Sequence, residues 1–203
     1  MKNELMIDIE TSGNSAGCKV LSIGAYGFNK NGEEVEFYCR FDAAKMDADG
    51  LNDDQATMDF WSRQGREAFE EAFSGKTEPA KGIGEFKHWF ISNFSTDYGS
   101  GFRVWCCGID FDFPILKHFF KQYGYGEMWP FWAQFDYRTI KNIFARIKAD
   151  ECNVAKHSAL EDAKAQMRGM QSFYSRLHNE KNVMFDVHGQ MVDPDTKTLL
   201  GAC

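Results

Sequence analysis

Asp8 and Glu10 stand two residues apart in the opening run Leu5-Met6-Ile7-Asp8-Ile9-Glu10. On a strand both carboxylates leave one face, with about 7 Å between their Cα atoms at ~3.3 Å rise per residue. Two such groups repel unless positive charge lies between them. A divalent cation held by oxygen ligands is the natural occupant, and a pair of cations ~3.5–4 Å apart could share the site. A strand with one solvated face produces the same alternation. Two further places carry compatible chemistry. In Gly108-Ile109-Asp110-Phe111-Asp112-Phe113-Pro114 a strand runs into a helix, so either aspartate can cap that helix or reach a cation at the sheet's end. In His157-Ser158-Ala159-Leu160-Glu161-Asp162 an imidazole, which titrates near neutral pH, precedes another aspartate by five residues.

The elements that must position these groups follow from periodicity. Leu5–Ile9 alternates as a strand, Val20–Phe28 is a second, and Val35–Phe41 returns as a third after Asn31-Gly32, a strong hairpin signal. The opening is therefore an antiparallel meander. Helical spacing follows: Phe86, Trp89, Phe90 and Phe94 form one stripe. Arg103–Cys107 reads as a short strand, and Pro114–Tyr123 as a helix stopped by Gly124. Ile140, Ile143, Phe144 and Ile147 fit a helix beginning near Asp136. Ser158 and Glu161 make a capping box, so a last long helix begins after Ser158 with Leu160, Ala163, Met167, Met170, Tyr174 and Leu177 on one face. Residues 183–203 could add a C-terminal hairpin. The whole reads as one α/β domain over residues 1–203, a mixed sheet flanked by helices.

Taken in order, Ile7-Asp8-Ile9-Glu10-Thr11, Phe111-Asp112 and His157-x-Ala159-x-x-Asp162 resemble the DEDDh branch of the 3′–5′ exonucleases, over residues 5–170. Asp59-Phe60-Trp61-x-x-Gln64 and Gly108-x-x-Phe111-Asp112-Phe113-Pro114 look like the subgroup of phage-type DNA exonuclease A, exonuclease VIII-like enzymes and small bacterial exoribonucleases. Asp136-Tyr137-Arg138-Thr139 resembles a D-x-R-T element of the same enzymes. Where relatives often carry a Trp-Trp pair, this chain has Phe60-Trp61.

The resemblance implies a ribonuclease H-like fold and two Mg²⁺ or Mn²⁺ ions held by Asp8, Glu10, Asp112 and Asp162. Asp8 would bridge, Glu10 and Asp162 would serve the ion on the attacking side, and Asp112 would serve the ion at the leaving 3′-oxygen. His157 would be the general base. The backbone near Thr11 and Ser12 would read the terminal 3′-hydroxyl, and Trp61 is a candidate for stacking on a terminal base, the alternative being a core tryptophan. Arg103 and Arg138 are candidates for phosphate contacts or for structural ion pairs. The substrate would be a single-stranded 3′ end, with release of nucleoside 5′-monophosphates. DNA is favoured by the phage-type similarity and RNA is kept open by the exoribonucleases. A homodimer is compatible with the family, and a non-catalytic nucleic-acid-binding module on the same fold is the competing reading. The full carboxylate set argues against that module.

Composition sets the limits. The chain has 203 residues, 43% of them hydrophobic, and 23 Lys and Arg against 30 Asp and Glu. That balance is ordinary for a globular protein. No run of 18 apolar residues is present and no signal sequence is read at the N-terminus, so no membrane is expected. Six cysteines without a C-x-x-C pair point to free thiols in a reducing, cytoplasmic setting. A net charge of −7 excludes tight, salt-driven binding along a duplex, but not an end-directed nuclease whose phosphate is held by metal ions.

Overall fold

Alternating apolar residues form β1 (Glu4–Thr11), whose Leu5, Ile7 and Ile9 face one side of a sheet and Met6, Asp8 and Glu10 the other. The computed structural model describes residues 1–143 and 158–179, with two short strands at 184–185 and 191–192. β2 (Val20–Phe28) and β3 (Glu34–Arg40) complete the expected meander. The connection between them differs from a two-residue turn. It spans residues 29–33, the Asn29 side chain accepts from the backbone N–H of Asn31 and Glu33, and Gly32 alone takes a positive φ, 91°. A longer loop organised by an asparagine has no need of the paired left-handed residues that a tight hairpin demands.

Three short helices follow, α1 (Ala43–Ala48), α2 (Gln55–Arg63) and α3 (Arg66–Phe73). The carboxylates of Asp42 and Asp54 cap the first two. In α4 (Pro79–Asn93) Glu78 accepts from the N–H groups of Ala80 and Lys81, and Ile83, Phe86 and Phe90 turn inward. β4 (Arg103–Cys106) pairs parallel with β1. α5 (Ile109–Gln122) begins five residues before the expected Pro114, with Gly108 preceding it, so neither Asp110 nor Asp112 caps the helix. Both instead occupy its first turn, and Pro114 lies within it. β5 (Gln134–Asp136) adds a parallel edge strand, too short to show periodicity, and α6 (Tyr137–Ile143) follows. α7 (Ala159–Asn179) starts directly after Ser158, and at its far end Leu177 is exposed. β6 (Met184–Phe185) and β7 (Met191–Val192) pair antiparallel as a separate ribbon.

The main sheet has the order β3-β2-β1-β4-β5, an antiparallel meander continued by two parallel strands. Helices cover both faces. Leu5, Ile7, Ile9, Ile23, Ala25 and Val104 pack with α4 and α5 on one. Met6, Phe28 and Trp105 pack with Ala163, Met167 and Met170 of α7 on the other. Asp8 and Glu10 lie on that second face, at the end where α7 begins. No helix among the described residues is long and apolar enough to cross a membrane. Cys18, Cys39, Cys106 and Cys107 are free thiols.

Candidate active site

Strand pairing places Gly24 of β2 directly opposite Asp8. A Cβ at that glycine would come within 2.1 Å of the Ala159 carbonyl carbon and the Leu160 nitrogen. Its absence lets the start of α7 settle on the sheet beside β1. Asp162, in the first turn of α7, thereby arrives over the two strand carboxylates. Among the described residues, one ligand oxygen each from Asp8, Glu10 and Asp162 fall within 4.8 Å of one another. One turn further along, Gln166 Nε2 donates to Asp8 Oδ1 at 2.8 Å.

Asp112 comes from the other side of β1 and is 3% exposed. Its position depends on the β4–α5 junction, where Gly108 adopts a φ of 142°. The Asp136-x-Arg138-Thr139 element clamps that junction. Asp136 Oδ1 accepts from the Ile109 N–H at 3.3 Å, and its Oδ2 accepts from the Thr139 N–H and hydroxyl. Arg138 donates to the Cys107 carbonyl at 2.7 Å, and a Cβ on Gly108 would meet its guanidinium at 3.1 Å. Arg138 is thus a structural brace. Arg103 likewise pairs with buried Glu4, at the opposite end of β1 from the acidic cluster.

The electrostatics follow from crowding carboxylates in a desolvated place. Burial, then the charges of Asp112, Glu10 and Asp162, hold Asp8 well above the usual carboxylate range, while the Gln166 hydrogen bond works the other way. Burial, then Asp162 and Asp112, push Glu10 up to about 8. Burial raises Asp112 to about 7, with the Cys106 thiol opposing the rise. A purely oxygen ligand set that is costly to ionise together suits a hard divalent cation.

The remaining expected site residues divide. Thr11 and Ser12 are buried beyond the acidic pair. Thr11 Oγ1 donates to the Gly13 carbonyl, the Ser12 N–H to Lys19 and the Ser12 hydroxyl to Asn52. Trp61, a candidate for base stacking, is only 1% exposed and sits against Phe60 and Phe73. Its indole donates to the Thr11 carbonyl at 2.8 Å, so it braces the end of β1 and presents no open face. Phe60 is the ring of that pair that reaches solvent. His157 lies outside the described residues. Sequence reasoning missed Gln166 as a partner of Asp8, although its place four residues after Asp162 puts both on one helix face. It also missed Gly24, whose small size matters only once a helix is laid across the strand.

Comparison with known proteins bears on the fold and the family. The E. coli exonuclease I structures solved with a dT13 and with a 5cy-dA13 oligonucleotide superpose with a TM-score of 0.57, at 13% and 11% identity, covering 90% of this chain. An ExoI/SSB-Ct complex superposes with a TM-score of 0.56 at 13% identity, over 87% of this chain. At such identity the likeness concerns the fold, the expected ribonuclease H-like one, and the aligned region is 44% of the length of exonuclease I. No curated protein matches the sequence. The family described as the 3′-5′ exoribonuclease Rv2179c-like domain matches residues 3–174, which span all the described carboxylates of the site. The chain belongs to that Rv2179c-like family of 3′–5′ exoribonuclease domains.

Proposed function

We propose that Asp8, Glu10, Asp112 and Asp162 form a divalent-metal centre at which this 3′–5′ exonuclease domain removes nucleotides from the 3′ end of a single strand. The observation that carries the reading is the convergence of the Asp8, Glu10 and Asp162 oxygens within 4.8 Å, with Asp112 close enough to raise Asp8. Bound Mg²⁺ or Mn²⁺ ions would neutralise these carboxylates and the scissile phosphate and polarise the attacking water. The chain supplies the rest. Asp8 lies among the other three carboxylates and is held by Gln166, which supports the bridging role. Trp61 and the Ser12 loop fix the end of β1, where the terminal nucleotide would enter. His157, just ahead of Ser158, would take the proton from water. The family description weighs for RNA, whereas the phage-type resemblance weighs for DNA.

The test uses matched single-stranded DNA and RNA oligonucleotides with Mg²⁺ or Mn²⁺. A 3′ label should appear at once as mononucleotide, while a 5′-labelled strand shortens progressively. Asp8→Ala should reduce the rate at least ~100-fold. Hydrolysis that persists in chelator and in Asp8→Ala would remove the metal centre from the mechanism, and the faster of the two polymers identifies the substrate.

A further inference from the structure

Gln166 is a neutral side chain bonded to a carboxylate of the cluster. Its amide nitrogen donates to Asp8 Oδ1 at 2.8 Å across the α7–β1 contact. Its Oε1 is buried and has no partner among the described residues. A second buried polar atom without a partner lies on the same surface, the hydroxyl of Ser22, which stands opposite Glu10 in the β1–β2 ladder. Side chains paired in this way leave the sheet on one face with Cβ atoms ~4.5–5.5 Å apart. An unsatisfied buried polar atom costs about 1–3 kcal/mol. Two of them lie beside the same carboxylates.

We propose that Gln166 is a positioning residue that aligns Asp8 for divalent cations, a proposal that rests on the metal-centre reading above. A terminal carboxylate torsion is soft, so an unheld Asp8 would turn away from Asp112, Glu10 and Asp162 to relieve their repulsion. The Gln166 N–H fixes the plane through Oδ1 and leaves Oδ2 and the second lone pair of Oδ1 for cations. Neutrality matters here. A lysine or arginine at 166 would supply the positive charge itself and compete with the ions, whereas an amide orients without competing. The donor is also secured by α7, whose seating over Gly24 sets both Asp162 and Gln166 relative to β1. Partners one step behind a metal ligand typically contribute 10–100-fold in affinity.

Gln166→Met keeps length, volume and helix preference while removing the donor. Titration calorimetry with Mn²⁺ alone on the full chain, beside a thermal melt without metal, reads the effect directly. Mn²⁺ binding should weaken by ~10–100-fold while the metal-free melt changes little. The Mn²⁺ concentration for half-maximal hydrolysis should rise by the same factor, with the rate at saturating Mn²⁺ recovering. Gln166→Leu repeats the comparison with a differently shaped apolar side chain. Binding within twofold of the unaltered protein in both variants would overturn the proposal, as would a rate loss that saturating Mn²⁺ does not restore. Failure of the unaltered protein to bind Mn²⁺ would instead overturn the metal-centre reading, and this proposal with it.

Discussion

Glu10 keeps its proton in the folded chain up to about pH 8, whereas an ordinary glutamate releases it near 4.5. Asp112 shows the same displacement, to about 7. Between the ordinary and the raised values the folded state binds more protons than the unfolded one, so stability falls as pH rises. The metal-free protein should accordingly melt at a lower temperature at pH 8 than at pH 5. Mn²⁺ should offset part of that loss at pH 8, by about 2.7 kcal/mol at a hundred times its Kd. Glu10→Gln, which has no charge to bury, should flatten the pH dependence. Melting temperatures that rise from pH 5 to pH 8 without metal would show that the carboxylates are not crowded as described. Gln166 works against the raised pKa of Asp8, because its N–H donates to the ionised carboxylate.

At the scale of elements, the site depends on two close approaches that no catalytic side chain makes. One is the seating of α7 on Gly24, and the other is the clamp of Asp136 and Arg138 on the β4–α5 junction. Gly24→Ala would place a Cβ 2.1 Å from backbone atoms of residues 159 and 160, which have no rotamer through which to yield. The expected cost is about 1–3 kcal/mol of stability. Displacement of Asp162 and Gln166 should weaken Mn²⁺ binding in the same variant. Gly126→Ala is the control, since nothing lies within 4 Å of its Cβ position, and it should stay within about 0.5 kcal/mol. Equal melting temperatures and Mn²⁺ affinities for the two variants would mean that α7 tolerates a shift at its start.

Across the whole molecule, the two ends of β1 do different work. Asp8 and Glu10 concentrate negative charge at one end. At the other, Glu4 is 2% exposed and is bound by Arg103 from β4 and by the Tyr174 hydroxyl from α7, tying three elements together. Arg103→Met would leave that carboxylate buried with only the tyrosine. Partial exposure of the arginine moderates the penalty, and about 2 kcal/mol of destabilisation is expected in chemical unfolding. The rate measured well below the melting temperature should be unchanged, because the pair is remote from the carboxylate cluster. The double change with Glu4→Gln should recover part of the loss. A fall in rate without a fall in stability would instead give Arg103 the phosphate-binding role. If two divalent ions bind as proposed, they would bring the overall charge of −7 to −3.

The sequence by itself determined the order of the carboxylates along the chain and the elements that carry them. Asp8 and Glu10 share a face because strand side chains alternate, and Asp162 follows a helix start because Ser158 and Glu161 mark one. Those are local rules, legible within a few residues. The meander and the long helices were legible for the same reason, while β5, with three residues, was too short for any period to show. Helix α5 starts earlier than a first-turn Pro114 implies, because the Gly108 junction held by Asp136 and Arg138 opens the helix at Ile109. Tertiary structure alone decided that Trp61 is a buried brace, that Gln166 holds Asp8 and that Gly24 admits α7. Each of these depends on a contact between segments 50 to 158 residues apart, and burial or close approach at such a contact leaves no mark on the local pattern of residues.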